Sequence, residues 1–439
     1  MNTKEILLHL GIDELNYMQE ESLSVNRKKQ NIILISPTGS GKTLAYLLPL
    51  VERIDVSKQE VQAVVIVPSR ELAKQTQSVL QRMACGVRSE AVYGGRAAMD
   101  EHRVLKAHQP HIIIGTPGRL LDHLTKQNFE AMTVGNLIID EFDKCLELGF
   151  QDEIQNVVKS LPNVSHRMLL SATDCPEIPR FIQLGNDTER IDCSDDEGQI
   201  SDRIVLYAVK SPAKDKLDTL GLLLTQLRQQ SSIIFVGFRE SVDRITQYLK
   251  RQHFHVSDFH GGMDQDLRER ALFRFSSGAC NILVSTDLAS RGLDIPEVDN
   301  IIHYHLPIDE ASFVHRNGRT ARWNASGNAY MIVGPEEHIP DFVEAEVQDC
   351  AIESKEVSPM APKWESLYIG RGRKEKLSKG DIAGFMIKIG GLGRDEVGRI
   401  EVRDHCSYVS VLRSRVRELM IRIKGQRIKG MKTIIETTR

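Results

Sequence analysis

Short aliphatic runs separated by stretches of helical periodicity fill the first 195 residues of this 439-residue chain. The runs are IILIS (32–36), AVVIVPS (63–69), HIIIGTP (111–117), LIIDEFD (137–143) and RMLLSAT (167–173). β-Branched runs of this length with helices between them are typical of buried parallel strands. Because ligands bind at the carboxyl edge of such a sheet, we expect the polar clusters that follow these runs to converge there.

The same alternation restarts after the acidic segment DCSDDEGQISD (192–202), which has no apolar periodicity and which we interpret as a linker. The second set of runs is SSIIFVGF (231–238), HVSDFHGG (255–262), NILVSTD (281–287), NIIHYHLP (300–307) and NAYMIVG (328–334). The pattern therefore predicts two consecutive α/β domains, domain one over residues 1–198 and domain two over residues 199–352.

The last part of the chain has a different order of elements. Residues 353–362 hold two prolines and little hydrophobicity, which predicts a linker. Residues 363–439, the basic tail, then show the order βαββαβ, which is compatible with a small α+β domain of the RNA-recognition type.

Charge separates this tail from the rest of the chain. Overall there are 57 Lys and Arg against 60 Asp and Glu, a net charge of −3. The tail holds 19 basic and 9 acidic residues, a net charge of +10, whereas residues 1–362 carry −13. Basic modules usually bind phosphate backbones, and a solvated basic face is the alternative.

Several classes of protein are disfavoured by composition. No run approaches the roughly 18 apolar residues of a membrane span. The N-terminal residues lack the layout of a signal peptide. The seven cysteines are scattered without a C-x-x-C pair, which favours buried or incidental thiols in a reducing compartment over a metal site or disulfides. We therefore expect a cytoplasmic protein.

SPTGSGKT, from Ser36 to Thr43, follows the first run and precedes an apolar helical stretch. A glycine-rich turn between a strand and a helix lets backbone N–H groups surround phosphate oxygens. Lys42 would reach the β- and γ-phosphates, and the Thr43 hydroxyl would bind Mg²⁺. The loop indicates a nucleoside triphosphate but not its use.

An acidic pair ends the fourth run. Hydrolysis of a triphosphate needs one carboxylate near Mg²⁺ and one that orients the attacking water. Asp140 fits the first role and Glu141 the second. A surface acidic turn is the alternative.

Eight motifs now stand in a fixed order. They are the loop at 36–43, PSRELA (68–73), GG (94–95), TPGR (116–119), DEFD (140–143), SAT (171–173), STDLASRGLD (285–294) and HRNGRTAR (315–322). In these motifs the chain resembles the DEAD-box ATP-dependent RNA helicases, from Gly11 to Asp349. The resemblance implies two tandem RecA-like P-loop domains that use ATP and Mg²⁺ and bind RNA.

The resemblance also implies residue roles. Nucleotide binding is expected from Gln19, Ser36, Thr38, Gly39, Ser40, Gly41, Lys42, Thr43 and Asp294, with Thr43 and Asp140 holding Mg²⁺ partly through water. The implied catalytic set is Lys42, Asp140, Glu141, His315, Arg319 and Arg322, and the residues implied to couple the ATP and RNA sites are Asp143, Ser171 and Thr173. The RNA contacts implied are Arg70, Gly94, Gly95, Thr116, Pro117, Gly118, Arg119, Arg268 and Thr286.

The arginine assignment has an independent physical reason. Charge spreads over the γ-phosphate oxygens in the transition state, and an arginine there is worth about 10³–10⁵ in rate. Because Arg319 and Arg322 belong to domain two, the resemblance implies a site that is complete only when the domains close.

Two departures from the family pattern stand out. Phe142 replaces the usual small residue, so coupling from Asp143 onward must accommodate a large ring. Residues 1–16 contain no Phe, Tyr or Trp, although the family has an aromatic residue there that packs on adenine. Weaker adenine specificity is one consequence, and replacement by another apolar residue is the alternative.

The basic tail resembles the C-terminal RNA-binding domain of DbpA-type helicases over residues 366–436, through GRKEKLSKGDIAG, VGRIEV and SYV. We expect RNA contacts from Arg371, Arg373, Lys374 and Lys376. Tyr368 and Tyr408 are candidates for base stacking, with burial in the core as the alternative.

These observations predict a monomeric helicase that unwinds or remodels structured RNA, with ribosomal RNA and pre-ribosomal particles as expected partners. The context implied is ribosome biogenesis, specifically large-subunit assembly. The alternatives are an RNA-dependent ATPase that remodels protein–RNA complexes and an ATP-switched RNA clamp.

Overall fold

The structure is a computed structural model that describes residues 3–37, 39–95, 98–173, 178–185, 187–193, 204–287, 298–320, 327–343, 345–353 and 356–438. The chain divides into two compact units near residue 202. Domain one forms the first unit, and the second unit contains domain two together with the basic tail. No helix in the described ranges is long and apolar enough to cross a bilayer.

Domain one is built on a seven-stranded parallel sheet with the order β3-β4-β2-β5-β6-β1-β7. Its strands are β1 (Asn31–Ile35), β2 (Ala63–Ile66), β3 (Ser89–Val92), β4 (Ile112–Gly115), β5 (Asn136–Ile139), β6 (His166–Ser171) and β7 (Glu189–Asp192). Its helices are α1 (Thr3–Leu10), α2 (Tyr17–Asn26), α3 (Lys42–Glu52), α4 (Arg70–Arg82), α5 (Ala98–His108), α6 (Pro117–Thr125), α7 (Phe142–Glu147) and α8 (Gln151–Lys159).

Two hydrophobic cores cover the two faces of this sheet. Alternate residues of β2 illustrate the division, since Val65 belongs to one core and Val64 to the other. The five predicted runs all form strands, and their burial on both faces explains why they read as continuous apolar runs. Short edge strands β3 and β7 were not predicted, because their sequences SEAV and ERID mix polar with apolar residues.

Domain two repeats the plan with the strand order β10-β11-β9-β12-β13-β8-β14, again parallel throughout. Its strands are β8 (Ile204–Lys210), β9 (Ser232–Phe235), β10 (Val256–Phe259), β11 (Ile282–Ser285), β12 (Asn300–His303), β13 (Gly327–Val333) and β14 (Val347–Asp349). The helices described are α9 (Leu217–Leu227), α10 (Arg239–Arg251), α11 (Gln265–Ser276) and α12 (Glu310–Asn317).

The basic tail folds in the predicted order βαββαβ around an antiparallel sheet with the strand order β16-β17-β15-β20. Its elements are β15 (Trp364–Ile369), α13 (Lys379–Lys388), β16 (Val397–Val402), β17 (Ser407–Leu412), α14 (Val416–Ile423), a hairpin of β18 (Arg427–Ile428) and β19 (Met431–Lys432), and β20 (Ile435–Thr437). A core of its own includes Leu367, Ile382, Val409 and Leu419.

The predicted fold class is thereby confirmed as two parallel α/β sheets followed by a small α+β domain. The domain limits at 198 and 352 stay predictions, and most of the predicted linker at 192–202 lies outside the described residues. In each α/β domain the carboxyl ends of the parallel strands form one edge, and most of the predicted site residues that the structure describes in these domains lie there.

Candidate ATP and RNA sites

The phosphate-loop candidate joins β1 to α3 in a compact turn. Gly39 and Gly41 have φ values of 88° and 93°, a conformation that costs little only for glycine. The Ser40 hydroxyl donates to the Pro37 carbonyl at 2.8 Å, and the Ser36 amide donates to the Ser171 carbonyl at 3.1 Å. The loop is therefore held both internally and to β6. Thr38, a predicted member of the loop, lies outside the described residues.

Lys42 and Asp140 face each other across this edge. The Lys42 ammonium group is buried and donates to the Ser36 carbonyl and, at 2.7 Å, to the Pro37 carbonyl. Asp140 is 3% exposed, and burial raises the pKa of its carboxyl to about 6 although the Lys42 charge opposes this shift. Burial disfavours the charged form of this carboxylate, and a nearby cation would stabilise that form.

The donor set at this edge fits Mg²⁺. Asp140 and Glu141 supply carboxylate oxygens and Thr43, at the start of α3, supplies a hydroxyl, which are the hard ligands that Mg²⁺ prefers. Asp143 adds negative charge that raises the pKa of Asp140 further. A divalent cation would offset both the burial of Asp140 and its repulsion by Asp143.

Glu141 adopts a left-handed backbone conformation with φ 48° and ψ 53°. Such a conformation costs a non-glycine residue on the order of 1–3 kcal/mol and is concentrated at functional sites. The Glu141 amide donates to the Asp140 carboxylate at 2.9 Å, which fixes the two acids relative to each other.

Tyr46 is a further member of this site that the sequence analysis missed. Its hydroxyl hydrogen-bonds the Asp140 carboxylate and lies 3.2 Å from the Thr76 hydroxyl, in a fully buried position. Tyr46 follows Lys42 by four residues and so shares its helix face, which is the signal that could have identified it.

Gln19 lies against the phosphate loop. Its amide nitrogen donates to the Gly41 carbonyl at 3.3 Å, and its oxygen accepts from the Asn16 amide at 3.1 Å. The Asn16 side chain in turn donates to the Ser40 carbonyl at 2.8 Å. The Asn16–Gln19 capping box therefore ties α2 to the loop, a role for Asn16 that sequence reasoning did not find.

Aliphatic side chains of α1 pack on domain one. Ile6 is buried in a core of this domain, and Leu7 and Leu10 pack against that core. The consequence of the absent aromatic residue for adenine binding stays a prediction.

The coupling residues are linked in space. The Thr173 hydroxyl donates to the Asp143 carboxylate at 3.2 Å, and the Ser171 hydroxyl donates to the Thr173 carbonyl at 2.6 Å. Phe142 is 1% exposed and packs in a core with Ile154. The large ring is therefore accommodated behind the acidic turn without breaking the Asp143–Thr173 contact.

The predicted RNA contacts of domain one meet at the same edge. Arg70 lies across the turn at Gly94 and Gly95, because a Cβ at Gly95 would lie 2.5 Å from the Arg70 Nη1 atom. Thr116 is the N-cap of α6 and Pro117 its first residue. A side chain at Gly118 would meet nothing within 4 Å, so this helix start is open.

Glu101 holds two of these segments together, and the sequence analysis did not identify it. Its carboxylate is buried and accepts hydrogen bonds from Arg119 Nε at 2.7 Å, from His123 Nε2 at 3.0 Å and from the Tyr93 amide at 3.3 Å. Burial alone would raise the pKa of Glu101, but the bonds from His123 and Arg119 hold it below its usual value. Arg119, predicted to contact RNA, is thus oriented by Glu101.

In domain two, the predicted RNA and ATP residues lie after β11 and on α11 and α12. Thr286 directly follows β11, and Arg268 on α11 is buried with its guanidinium 5.2 Å from the Phe259 ring centre. His315 on α12 and Arg319 just beyond it are also buried. Asp294 and Arg322 lie outside the described residues.

Arg316 also contributes to this region, although the sequence analysis did not identify it. Its guanidinium forms two bonds to the Asp287 carboxylate, at 2.5 and 3.1 Å, and one to the His305 carbonyl at 2.9 Å. This bidentate pair joins α12 to the segment after β11, so it positions the elements that carry His315 and Thr286.

The predicted RNA residues of the tail form a tight turn between β15 and α13. Gly372 approaches the Arg403 carbonyl so closely that a Cβ would lie 2.1 Å from it, and the Lys374 amide donates to the Asp404 carbonyl at 3.0 Å. Arg373, Lys374 and Lys376 are exposed and Arg371 is half-buried, so the backbone is fixed while cations reach the solvent.

Comparison with known proteins identifies three regions. Residues 16–178 match the DEAD/DEAH box helicase family, residues 215–324 the helicase conserved C-terminal domain, and residues 366–437 the DbpA RNA binding domain.

Among curated relatives, the ATP-dependent RNA helicase DbpA of Escherichia coli K12 is 30% identical over 434 residues, covering 96% of this chain and 94% of that protein. DbpA of Bacillus subtilis is 29% identical with the same coverage. The helicase CshA of Limosilactobacillus reuteri is 34% identical, but this chain spans only 66% of its length.

Two solved structures share the fold. Dbp5 of S. cerevisiae bound to RNA and ADP BeF₃ superposes with a TM-score of 0.68 at 25% identity, over 80% of this chain and 94% of that one. Mss116p bound to single-stranded RNA and AMP-PNP gives a TM-score of 0.70 at 21% identity, over 89% and 83%. From these matches and the geometry above, the chain belongs to the DEAD-box ATP-dependent RNA helicases, of the type that carries a DbpA RNA-binding domain.

Proposed function

We propose that this helicase uses ATP and Mg²⁺ to unwind or remodel short stretches of structured RNA, namely ribosomal RNA during large-subunit assembly. The observation that carries the choice of RNA is the DbpA RNA-binding domain at residues 366–437, with its fixed turn of exposed cations. Cations on a rigid backbone suit the phosphates of a folded RNA better than those of a flexible strand.

In domain one, Lys42 would neutralise phosphate charge, and Asp140 and Thr43 would hold Mg²⁺. The bound ion would supply positive charge to the phosphate oxygens, and the buried Asp140 carboxylate, whose pKa burial raises to about 6, would gain a cationic partner. Glu141, set in its left-handed conformation beside Asp140, orients the attacking water.

RNA and ATP act together in this proposal. Arg319 and Arg322 of domain two complete the phosphate site when the domains close around both ligands, so each ligand favours binding of the other. A duplex step is worth about 1.4 kcal/mol by the DNA figure, so binding energy suffices to open a few pairs. Hydrolysis then serves mainly to release the RNA.

We expect the protein to act as a cytoplasmic monomer on pre-ribosomal particles. Two other functions use the same site. One is remodelling of protein–RNA complexes without duplex opening, and the other is an RNA clamp that binds ATP without turnover. Lys42 and Glu141, placed as described, favour turnover over a clamp.

A strand-displacement assay separates the three functions. The substrate is a ribosomal RNA fragment with a short labelled duplex beside it, and the control is a length-matched generic RNA. We expect ATP-dependent displacement that is faster on the ribosomal fragment. ATP hydrolysis without displacement would indicate a remodeller, and ATP binding without hydrolysis would indicate a clamp.

A further inference from the structure

The sheet of the basic tail has two faces with different surroundings. Because successive strand residues point to opposite faces, Leu367 and Val409 lie in the tail's own core while Tyr368 and Tyr408 lie on the other face. In RNA-recognition folds, aromatic residues on that second face stack on bases. Here that face meets domain two.

The centre of the contact is an aromatic pair. The rings of Tyr408 and of Phe273 on α11 are stacked, with centres 5.2 Å apart and planes inclined by 28°. Tyr408 is only 3% exposed, and Tyr368 meets its ring edge-on at 5.8 Å. Tyr408 is therefore buried, but between two domains rather than inside the tail.

An ion pair lies beside the rings. The Arg403 guanidinium bonds the carboxylate of Glu269 on α11 and, at 3.2 Å, the Glu269 carbonyl, and it lies 4.9 Å from the Tyr408 ring centre. The Arg403 and Glu269 side chains are 19% and 17% exposed. Removing one member of such a sheltered ion pair leaves the other charge buried without its partner. The ion pair therefore favours one orientation of the tail on domain two.

Arg413 connects three parts of the second unit. Its guanidinium donates to the Ala279 carbonyl of domain two at 2.9 Å, to the Pro362 carbonyl at 2.7 Å and to the Glu365 carboxylate of the tail at 2.5 Å. Because the guanidinium is planar and its donors point in fixed directions, these bonds fix both the distance and the orientation of the tail relative to domain two.

The segment before the tail is bound along α9. The Ser358 backbone amide donates to the Thr225 hydroxyl at 3.1 Å, and the Gln229 side-chain amide donates to the Ala361 carbonyl at 2.9 Å. Val357 packs against a core of domain two, and a Cβ at Gly221 would meet it at 3.1 Å. In its described part, the predicted linker is a strap on domain two.

We propose that the second face of the tail sheet is a docking surface for α11, which holds the tail rigidly on domain two, and that RNA meets the tail through its basic turn instead. The surface available to RNA then includes Arg373, Lys374 and Lys376, which are exposed, and excludes Tyr408. The partner this remaining surface fits is the phosphate backbone of a folded RNA.

Rigid docking has a consequence that rests on the proposed function. The helix α11 carries Arg268, a predicted RNA contact, and the tail packs against Glu269 and Phe273 of the same helix. RNA held by the tail is therefore presented to domain two at a fixed distance. A duplex is opened efficiently only at one spacing from the recognised structure.

Docking is tested on the full chain without RNA by electron–electron double resonance. Spin labels replace the exposed residues Lys250 on α10 and Lys388 on α13, through non-cysteine chemistry because Cys406 is partly exposed. We expect one narrow distance distribution. Arg403→Glu should broaden it, and adding Glu269→Arg to that variant should restore it by reversing the pair.

Glu336→Lys serves as the matched control, because Glu336 lies in an exposed ion pair elsewhere on domain two. It should leave the distribution narrow. A broad distribution in the unmodified chain, or an unchanged one in Arg403→Glu, would overturn the proposal. If the distance distribution of the unmodified chain is narrow but this chain shows no preference for ribosomal over generic RNA, the proposed function is contradicted and the docking proposal is not.

Discussion

At the scale of single residues, the catalytic edge of domain one is organised by two strained or buried acids. Asp140 is buried against Lys42 and carries a raised pKa, and Glu141 sits in a left-handed conformation next to it. Both features cost stability in the free protein, and we propose that bound nucleotide and cation compensate for this cost. The two features therefore support the catalytic roles predicted for these acids.

Glu141→Gln should remove the group that orients water while keeping size and hydrogen-bonding capacity. We expect RNA-stimulated ATP turnover to fall by at least about 100-fold, since positioned acid–base groups contribute 10²–10⁴. ATP and RNA should still bind, and a long-lived ternary complex should accumulate. Steady-state ATPase rates and RNA retention on a filter measure both effects, and normal turnover would contradict the role.

Glu101→Ala should leave Arg119 and His123 without their shared acceptor. Because Arg119 is then free to turn away, we expect weaker RNA binding with little change in the KM for ATP. Glu101→Gln retains an acceptor oxygen, so its RNA affinity should lie between that of Glu101→Ala and that of the unmodified chain. RNA affinity by fluorescence anisotropy tests this, with the exposed Glu130→Ala as control. Equal losses in all three variants would refute an orienting role.

At the scale of elements, the sequence predicted what local chemistry determines. Five strands of each sheet, the phosphate turn and the tail order βαββαβ are visible because buried apolar runs and glycine-rich turns leave strong patterns. The edge strands β3, β7 and β14 were missed because edge strands pack on fewer neighbours, and the inner strand β8 was also missed. Glu101, Tyr46 and Arg316 were missed because their partners are distant in sequence or carry no motif.

The docked tail shows the same limit at a larger distance. Tyr408 was open to two interpretations, stacking or core, and the structure places it against Phe273 in another domain. Nothing in the local sequence around Tyr408 encodes a partner 135 residues earlier, since only the assembled fold brings α11 to that sheet face.

Gly95→Ala tests how closely the RNA-binding segments of domain one pack. The left-handed φ of 94° and the 2.5 Å approach of Arg70 both oppose a methyl group there. We expect a stability loss of about 1 kcal/mol from the backbone and displacement of Arg70, with reduced RNA affinity. Gly135→Ala, at which a Cβ would meet nothing within 4 Å, is the control. Equal RNA affinity in both variants would contradict the contact.

At the scale of the whole molecule, buried histidines link stability to pH in both α/β domains. Burial lowers the pKa of His166 in domain one, and of His303 in domain two, to about 3. In the unfolded chain both would titrate near pH 6.5, so between these values the unfolded state binds more protons. Stability is then full above pH 6.5 and falls as the pH drops.

Lowering the pH from 7 to 5 should therefore destabilise each domain by about 2 kcal/mol through its histidine. Urea unfolding followed separately for each domain measures the change. His303→Gln should retain a donor to Asn317 and make domain two less sensitive to acid, with domain one unchanged. An unaltered pH dependence of domain two in this variant would contradict the assignment.

The role proposed for the tail is to direct an ATP-driven helicase to structured ribosomal RNA, and RNA-stimulated ATPase activity measures this role. The measurement compares a ribosomal RNA fragment with a generic RNA of equal length over a series of salt concentrations. The variant replaces Arg373, Lys374 and Lys376 by alanine, and the control replaces the exposed helix residues Lys388 and Arg417.

We predict that the unmodified chain and the control are half-stimulated by far less ribosomal than generic RNA. The triple variant should lose this preference and keep its generic response, with the salt dependence of ribosomal RNA binding reduced by about one unit of slope per lost phosphate contact. Equal preference in the triple variant and the unmodified chain would contradict this role of the tail.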